Sequence, residues 1–199
     1  MGLHAVVLAG GTGSRLWPLS TPENPKQFQS VLSSKPLVNQ AIDRARQVAG
    51  DNVWVVTDAI YAPLVRALAP DLPPDNVLAE PQPRGTLGAV LLAAAAVRRT
   101  DPDAVLALLP SDHLCPDGAR LAAAIRALAP VLGARDIGLV ATPTIVINPA
   151  FGHVLPGGAL VEDEGLRICP VDDYVEKPQS AEELGGGTWL RNMGLVVGH

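Results

Sequence analysis

The sequence predicts an α/β fold with a mostly parallel central sheet flanked by helices. Short, β-branched apolar runs alternate along the chain with longer Ala/Leu/Arg segments of helical spacing. Strands separated by helix-length crossovers pair in parallel and need helices on both faces of the sheet. The chain has 199 residues, 48% hydrophobic and 18% charged, which suits one globular domain with a real core. No internal repeat or long linker divides it, so residues 1–199 are expected to form a single domain.

The elements follow in order. Ala5-Val6-Val7-Leu8-Ala9 is apolar on both faces and bounded by glycines, as a buried strand should be. From Leu37 to Val48, the residues Leu37, Val38, Ala41, Ile42, Ala45 and Val48 share one helical face, with Asp43, Arg44, Arg46 and Gln47 outward. A strand at Val53 to Thr57 and a helix at Ala59 to Leu68 come next, and Pro70 ends the helix. Val77 to Ala79 is a short strand. Thr86 is placed to cap a helix that runs to about Arg99 and is apolar nearly all round, hence expected to be buried. Ala104 to Leu109 is a strand stopped by Pro110. Asp117 can cap the following helix, which ends near Gly133, and Ile137 to Ala141 is a fifth strand.

From Pro143 onward Pro and Gly become frequent. Val154-Leu155 and Ala159-Leu160-Val161 around Pro156-Gly157-Gly158 predict a hairpin, and Ile168 to Glu176 predicts one longer strand. Ser180-Ala181-Glu182-Glu183 has the form of a capping box on a short helix ended by Gly185 to Gly187. Leu195-Val196-Val197 is the last strand.

Composition excludes several partners. A net charge of −5 and a pI near 5.3 leave no electrostatic footprint for polymeric nucleic acid. Leu87 to Val97 is too short to cross a bilayer and is broken by Gly88, so no membrane partner is expected. The start lacks a basic region followed by a long apolar segment, and Val6 stands where a myristoylation motif needs Ser or Thr. Cys115 and Cys169 lack metal-ligand spacing and read as reduced thiols, with pairing left open. A cytoplasmic protein fits these features, and a homo-oligomer remains open.

The strongest chemical signal is the loop Leu8-Ala9-Gly10-Gly11-Thr12-Gly13-Ser14-Arg15. Its glycines free the backbone to bend and to approach an anion without Cβ interference, and successive N–H groups there form an anion cradle. Arg15 and Lys26 add full positive charges suited to triphosphate oxygens and to charge developing in phosphoryl or nucleotidyl transfer. The dinucleotide fingerprint needs glycine where Leu16 stands, and the Gly-Lys-Ser/Thr of a Walker loop does not occur. A plain strand-to-loop turn explains the glycines but not Arg15, Pro18, Pro25 and Lys26 together. Asp112, at the end of the fourth strand, is a hard carboxylate at the edge where open sheets bind ligands. That suits Mg²⁺ shared with substrate phosphates, although Asp after Pro-Ser is also a common turn residue.

Residues 8–20 with Pro25-Lys26-Gln27-Phe28 resemble the signature of sugar-1-phosphate nucleotidyltransferases. Trp17 and the Lys26-Gln27-Phe28 variant are most similar to the mannose-1-phosphate guanylyltransferase branch. Further segments occur in the family's order: Glu80-Pro81-Gln82-Pro83-Arg84-Gly85-Thr86, Leu109-Pro110-Ser111-Asp112-His113, Tyr174-Val175-Glu176-Lys177-Pro178, and Asn192 before Met193-Gly194. The resemblance implies a Rossmann-like (GT-A-like) nucleotidyltransferase domain with a mostly parallel, mixed sheet. It implies a reaction in which an NTP, with GTP the expected one, and a sugar-1-phosphate give an NDP-sugar and pyrophosphate. Arg15, Lys26 and Asp112 would be catalytic, with Asp112 on Mg²⁺. The nucleotide would meet Leu8 to Arg15, Glu80, Pro81, Arg84, Thr86 and Ser111. Gly152, Glu176, Lys177 and Asn192 would bind the sugar phosphate.

The chain departs from the family at Gly85, where an Asn is usual, and at Pro149-Ala150-Phe151-Gly152-His153, which replaces Thr-Gly-Tyr-Gly-Tyr. Arg191 and Met193 replace Trp and Ser. Three of these four changes fall on the sugar side and leave the sugar less determined than the nucleotide. Family members also continue beyond the point matching His199 and supply a second metal-binding Asp there, so their C-terminal part is expected to be missing. The alternatives are a nucleotidyltransferase for another phosphorylated sugar or cyclitol, or a nucleotide-binding subunit with little turnover.

Overall fold

The computed structural model describes residues 2–199 apart from 12–16, 32, 145, 164 and 181. β1 (Leu3–Leu8), β2 (Val53–Asp58), β3 (Val77–Glu80) and β4 (Val105–Pro110) form a parallel block in the order β3-β2-β1-β4. Each crossover carries a helix: α1 (Leu37–Ala49), α2 (Ala62–Leu68) and α3 (Gly85–Arg98). The register aligns the carboxyl ends, with Leu8 opposite both Val56 and Pro110, and Asp58 opposite Glu80.

Strand residues alternate between the two faces, and the core divides accordingly. Ala5, Val7 and Ala9 pack with Val38, Ala41, Ile42 and Ala45 of α1, with Val65 of α2, and with Ile125 of α4 (Gly118–Leu128). Val6, Trp54 and Val56 face the other way, onto Ala89, Ala93 and Val97 of α3. Asp117 caps α4 as predicted, its carboxylate accepting the Arg120 N–H at 2.9 Å. α1 ends at Gly50, which takes a φ of 60°, a conformation glycine adopts without strain.

β5 (Ile137–Pro143) and β10 (Leu190–Gly198) make the sheet mixed. β10 lies antiparallel between β4 and β5, and β6 (His153–Pro156) and β9 (Val171–Val175) continue beyond it, also antiparallel. Val196 pairs with Leu108, so the first residues of β10 overshoot the carboxyl end of β4. β6 pairs with that overshoot at Leu190 and Arg191. The late strands therefore build a wall above the edge where β1–β4 end.

Several expectations need correction. α3 is not buried all round: Leu87 and Leu91 are 70% and 60% exposed, because only one helix face meets the sheet. Thr86 does not cap it; Gly85 begins the helix, and Arg84 precedes it with no side-chain cap. The predicted hairpin between Val154 and Val161 does not form. β6 pairs with β9, while β7 (Val161–Asp163) pairs with β8 (Leu166–Ile168). The long strand from Ile168 to Glu176 is split at Cys169-Pro170, since proline cannot donate to a ladder. The capping box yields one 3-10 turn, Glu182–Leu184, with the Glu183 carboxylate accepting the Gln179 N–H at 3.0 Å.

Candidate active site

The carboxyl ends of β1–β4 converge with the late-strand wall on one edge of the sheet. Leu8 ends β1, and the buried Ala9 and exposed Gly10 and Gly11 follow. Three side-chain hydrogen bonds fix this turn. Thr57 Oγ1 and Gln27 Nε2 both donate to the Ala9 carbonyl, at 3.0 and 3.1 Å, and Gln27 Nε2 also donates to the Gly11 carbonyl at 2.9 Å. Gln27 is 3% exposed. Gly11 has a φ of 86°, a left-handed conformation that admits glycine far more readily than other residues. Thr12, Gly13, Ser14 and Arg15, the rest of the predicted phosphate loop, lie outside the described residues.

Two carboxyl groups lie beside Gly10. A Cβ on Gly10 would sit 3.6 Å from Asp58 Oδ1 and 3.7 Å from Glu80 Oε2, and a Cβ on Gly88 would sit 3.7 Å from Glu80 Oε1. Asp58 and Glu80 are each only 7% exposed, and Asp58 Oδ1 has no hydrogen-bond partner among the described residues. Burial and the neighbouring Asp58 charge push the Glu80 carboxyl above its usual range, partly opposed by a hydrogen bond from the Arg84 backbone N–H. Pro81, Arg84 and Thr86 are exposed between β3 and the first turn of α3. The structure thus gathers Glu80 with Gly10. It also adds Asp58, whose signal in the sequence was its place as the last residue of a strand at this edge.

At the end of β4, the buried Ser111 donates its N–H to the Leu8 carbonyl at 3.1 Å, tying the two strand ends together. Lys26, in the 3-10 turn Lys26–Phe28, donates from Nζ to Asp112 Oδ2 at 2.9 Å, so two predicted catalytic side chains touch. Burial raises the Asp112 carboxyl, but the Lys26 ammonium outweighs it, and the group lies below the usual carboxylate range. His113 is held below the ordinary histidine value, mainly by burial and against the attraction of Asp112. Among the described residues no group of three or more His, Cys, Asp or Glu gathers to hold a metal. A half-exposed, ionised Asp112 does fit Mg²⁺ taking most of its ligands from phosphates and water.

The wall contributes the predicted acceptor residues. Gly152 precedes β6, Glu176 and Lys177 follow β9, and Asn192 lies in β10 just before an irregularity that extends to Leu195. Gly152 and Asn192 are joined by a backbone bond from Asn192 N–H to the Gly152 carbonyl at 2.9 Å. Glu176 Oε1 pairs with Lys177 Nζ at 3.2 Å, and Glu176 Oε2 accepts the Tyr174 hydroxyl at 2.6 Å. These two partners hold the Glu176 carboxyl below its usual value. Burial and the Glu176 bond raise Tyr174. Lys177 has a φ of 51°, uncommon for a side-chain-bearing residue. Arg191 lies over the Phe151 ring at 5.2 Å. Tyr174 and Gln27 had been visible only as letters inside motifs; their contacts make them site residues.

This combination of a parallel block, a glycine turn at the end of β1 and charged groups along one edge defines an α/β domain with its candidate site at the carboxyl ends of the parallel strands. The nucleotidyl transferase family profile matches residues 4–195, and the chain belongs to that family. It is 32% identical over 198 residues to the alginate biosynthesis protein AlgA of Pseudomonas putida, covering 96% of this chain and 40% of that protein. It is 29% identical to the mannose-1-phosphate guanylyltransferase of Escherichia coli, covering 98% of this chain and 42% of that protein. The chain thus spans well under half the length of these relatives. A Thermus thermophilus structure described as a mannose-1-phosphate geranyltransferase superposes with a TM-score of 0.79 at 26% identity, over 99% of this chain and 57% of that one. A Helicobacter pylori mannose-6-phosphate isomerase structure, at 22% identity and a TM-score of 0.74, shares the fold.

Proposed function

We propose that this chain carries the site that condenses GTP with a mannose-1-phosphate-like sugar-1-phosphate to give an NDP-sugar and pyrophosphate. The observation that carries the reading is the Lys26–Asp112 pair, which puts a cation and a metal-competent carboxylate at the strand edge where the Leu8–Gly11 turn begins. An oxygen of the sugar phosphate forms a bond to the α-phosphorus, and the bond from that phosphorus to the bridging oxygen breaks. Pyrophosphate leaves with the electron pair. The attacking oxygen is already ionised, so the protein's task is alignment and charge stabilisation rather than proton abstraction. Mg²⁺ held by Asp112 and the phosphates would supply charge at the triphosphate. Lys26 neutralises phosphate oxygens, Arg15 is assigned the same role from the sequence, and Lys177 holds the incoming phosphate.

The Asp58 and Glu80 carboxyls favour guanine, whose N1–H and amino group offer adjacent donors to such acceptors. No helix among the described residues is long and apolar enough to cross a membrane; the cytoplasmic setting is proposed from the sequence. The deciding measurement is pyrophosphate release from the purified chain with Mg²⁺, each NTP in turn and a panel of sugar-1-phosphates. We expect GTP-dependent release that Arg15→Ala abolishes. Full activity in that variant overturns the assignment.

A further inference from the structure

Tyr174 does something in the acceptor wall that the reaction does not require. Tyr174 lies in β9 and Glu176 just past its end, and the two side chains meet. The Tyr174 hydroxyl donates to Glu176 Oε2 at 2.6 Å and accepts from Asn192 Nδ2 at 3.2 Å. A hydroxyl that gives its proton to a carboxylate and takes one from a side-chain amide makes the contacts that a sugar hydroxyl makes with such a pair. The remaining atoms of both side chains are also engaged: Glu176 Oε1 by Lys177 Nζ, and Asn192 Oδ1 by the Gly194 N–H at 2.9 Å.

The position of the phenol depends on Gly152. A Cβ there would fall on the Tyr174 hydroxyl, 2.7 Å from Cζ and 2.8 Å from Glu176 Oε2. Only a residue without a side chain lets the ring lie across the strand end. The absent side chain and the phenol that fills its space form one arrangement, and it occupies the centre of the predicted acceptor residues.

Building on the function proposed above, we propose that Tyr174 determines acceptor specificity. Its phenol holds the place of one sugar hydroxyl between Glu176 and Asn192, so the preferred acceptor is a deoxy-sugar-1-phosphate carrying hydrogen at that position. A fully hydroxylated sugar must displace the phenol and break a charge-assisted bond, whereas the deoxy sugar packs against it. An added hydroxyl finds these polar groups already paired and must break existing bonds to reach them, a discrimination of about 10²-fold at most.

The test compares the wild-type chain, Tyr174→Phe and Gly152→Ala with GTP, Mg²⁺, mannose-1-phosphate and its mono-deoxy analogues. It reads kcat/KM by pyrophosphate release and sugar-phosphate affinity by calorimetry. Wild type should prefer one deoxy analogue to the parent by about tenfold or more. Tyr174→Phe, which frees Glu176 and Asn192, should shift that ratio toward the parent by at least about tenfold, mostly through KM. Gly152→Ala should shift it in the same direction by expelling the ring, with circular dichroism confirming its fold. An unchanged ratio in Tyr174→Phe overturns the proposal, as does an equal loss for every sugar, which would make the phenol a general contact. Turnover with an unchanged ratio removes this inference alone. If no sugar phosphate binds or reacts in any of the three proteins, this inference and the underlying function both fall.

Discussion

Replacing Gln27 by Leu should loosen the nucleotide loop without disturbing the sheet. The side chain is 3% exposed and spends both amide hydrogens on the loop, at 3.1 Å to the Ala9 carbonyl and 2.9 Å to the Gly11 carbonyl. Leucine keeps a similar volume and removes both donors. The Ala9 carbonyl retains the Thr57 hydroxyl at 3.0 Å, and the Gly11 carbonyl lies on an exposed residue that water can reach. Two hydrogen bonds at about 0.5–1.5 kcal/mol each, less some recovery by solvent, give a loss of about 2 kcal/mol. For a domain of this size that lowers Tm by about 4–8 °C. GTP affinity should fall by about tenfold or more, because the loop must then be ordered at the expense of binding. Calorimetry and thermal melts with and without GTP read both quantities. A Tm and an affinity that both match wild type would refute the idea that Gln27 holds the loop. Gln27→Glu should be worse than Gln27→Leu, since it points a buried carboxylate at two carbonyl oxygens.

Asp112→Asn separates chemistry from stability. The Lys26 and Asp112 side chains are 28% and 43% exposed, so their pair contributes at most about 1 kcal/mol to folding. Turnover should nevertheless drop by about 10²–10³-fold, and a loss of activity no larger than the loss of Tm explains would contradict the proposed role. Glu80→Gln tests the carboxyl pair through pH. The raised Glu80 value means the folded chain binds that proton more tightly than the unfolded chain does, so wild-type stability declines as pH climbs from the ordinary glutamate value through the folded one. The difference in urea midpoints should therefore move in favour of Glu80→Gln across that window, and a pH-independent difference counts against it. Ile125→Ala removes a fully buried α4 side chain from the larger core. It should cost about 2–5 kcal/mol in chemical denaturation, and a loss well under that range would mean α4 is not seated as described.

Local pattern carried most of the parallel half of the molecule. β1 to β4 and α1 to α4 are strands and helices whose hydrophobic spacing is set within a dozen residues, and their predicted bounds lie within a few positions of those observed. The glycine turn and the charged pair have simple physical grounds: Gly11 takes a φ of 86° that favours glycine, and Lys26 meets Asp112 as an ion pair. Errors gathered where partners are distant in sequence. Val154 was expected to turn back onto Val161, yet it pairs with Tyr174, because the start of β10 overshoots β4 and offers β6 an edge. Leu87 and Leu91 looked like core residues, but one helix face meeting one sheet leaves the opposite face bare.

By itself the sequence determined an α/β domain with a glycine-rich turn after its first strand, and the order of charged motifs that accompanies it. Those features depend on residue type and short spacing. Only the tertiary structure decided that Asp58 joins Glu80 beneath Gly10, that Gln27 supports the loop, and that Tyr174 sits between Glu176 and Asn192 over Gly152. Apart from the Tyr174–Glu176 bond, which spans two residues, each of those contacts links segments distant in sequence, so strand order and register create them, and no local pattern encodes either.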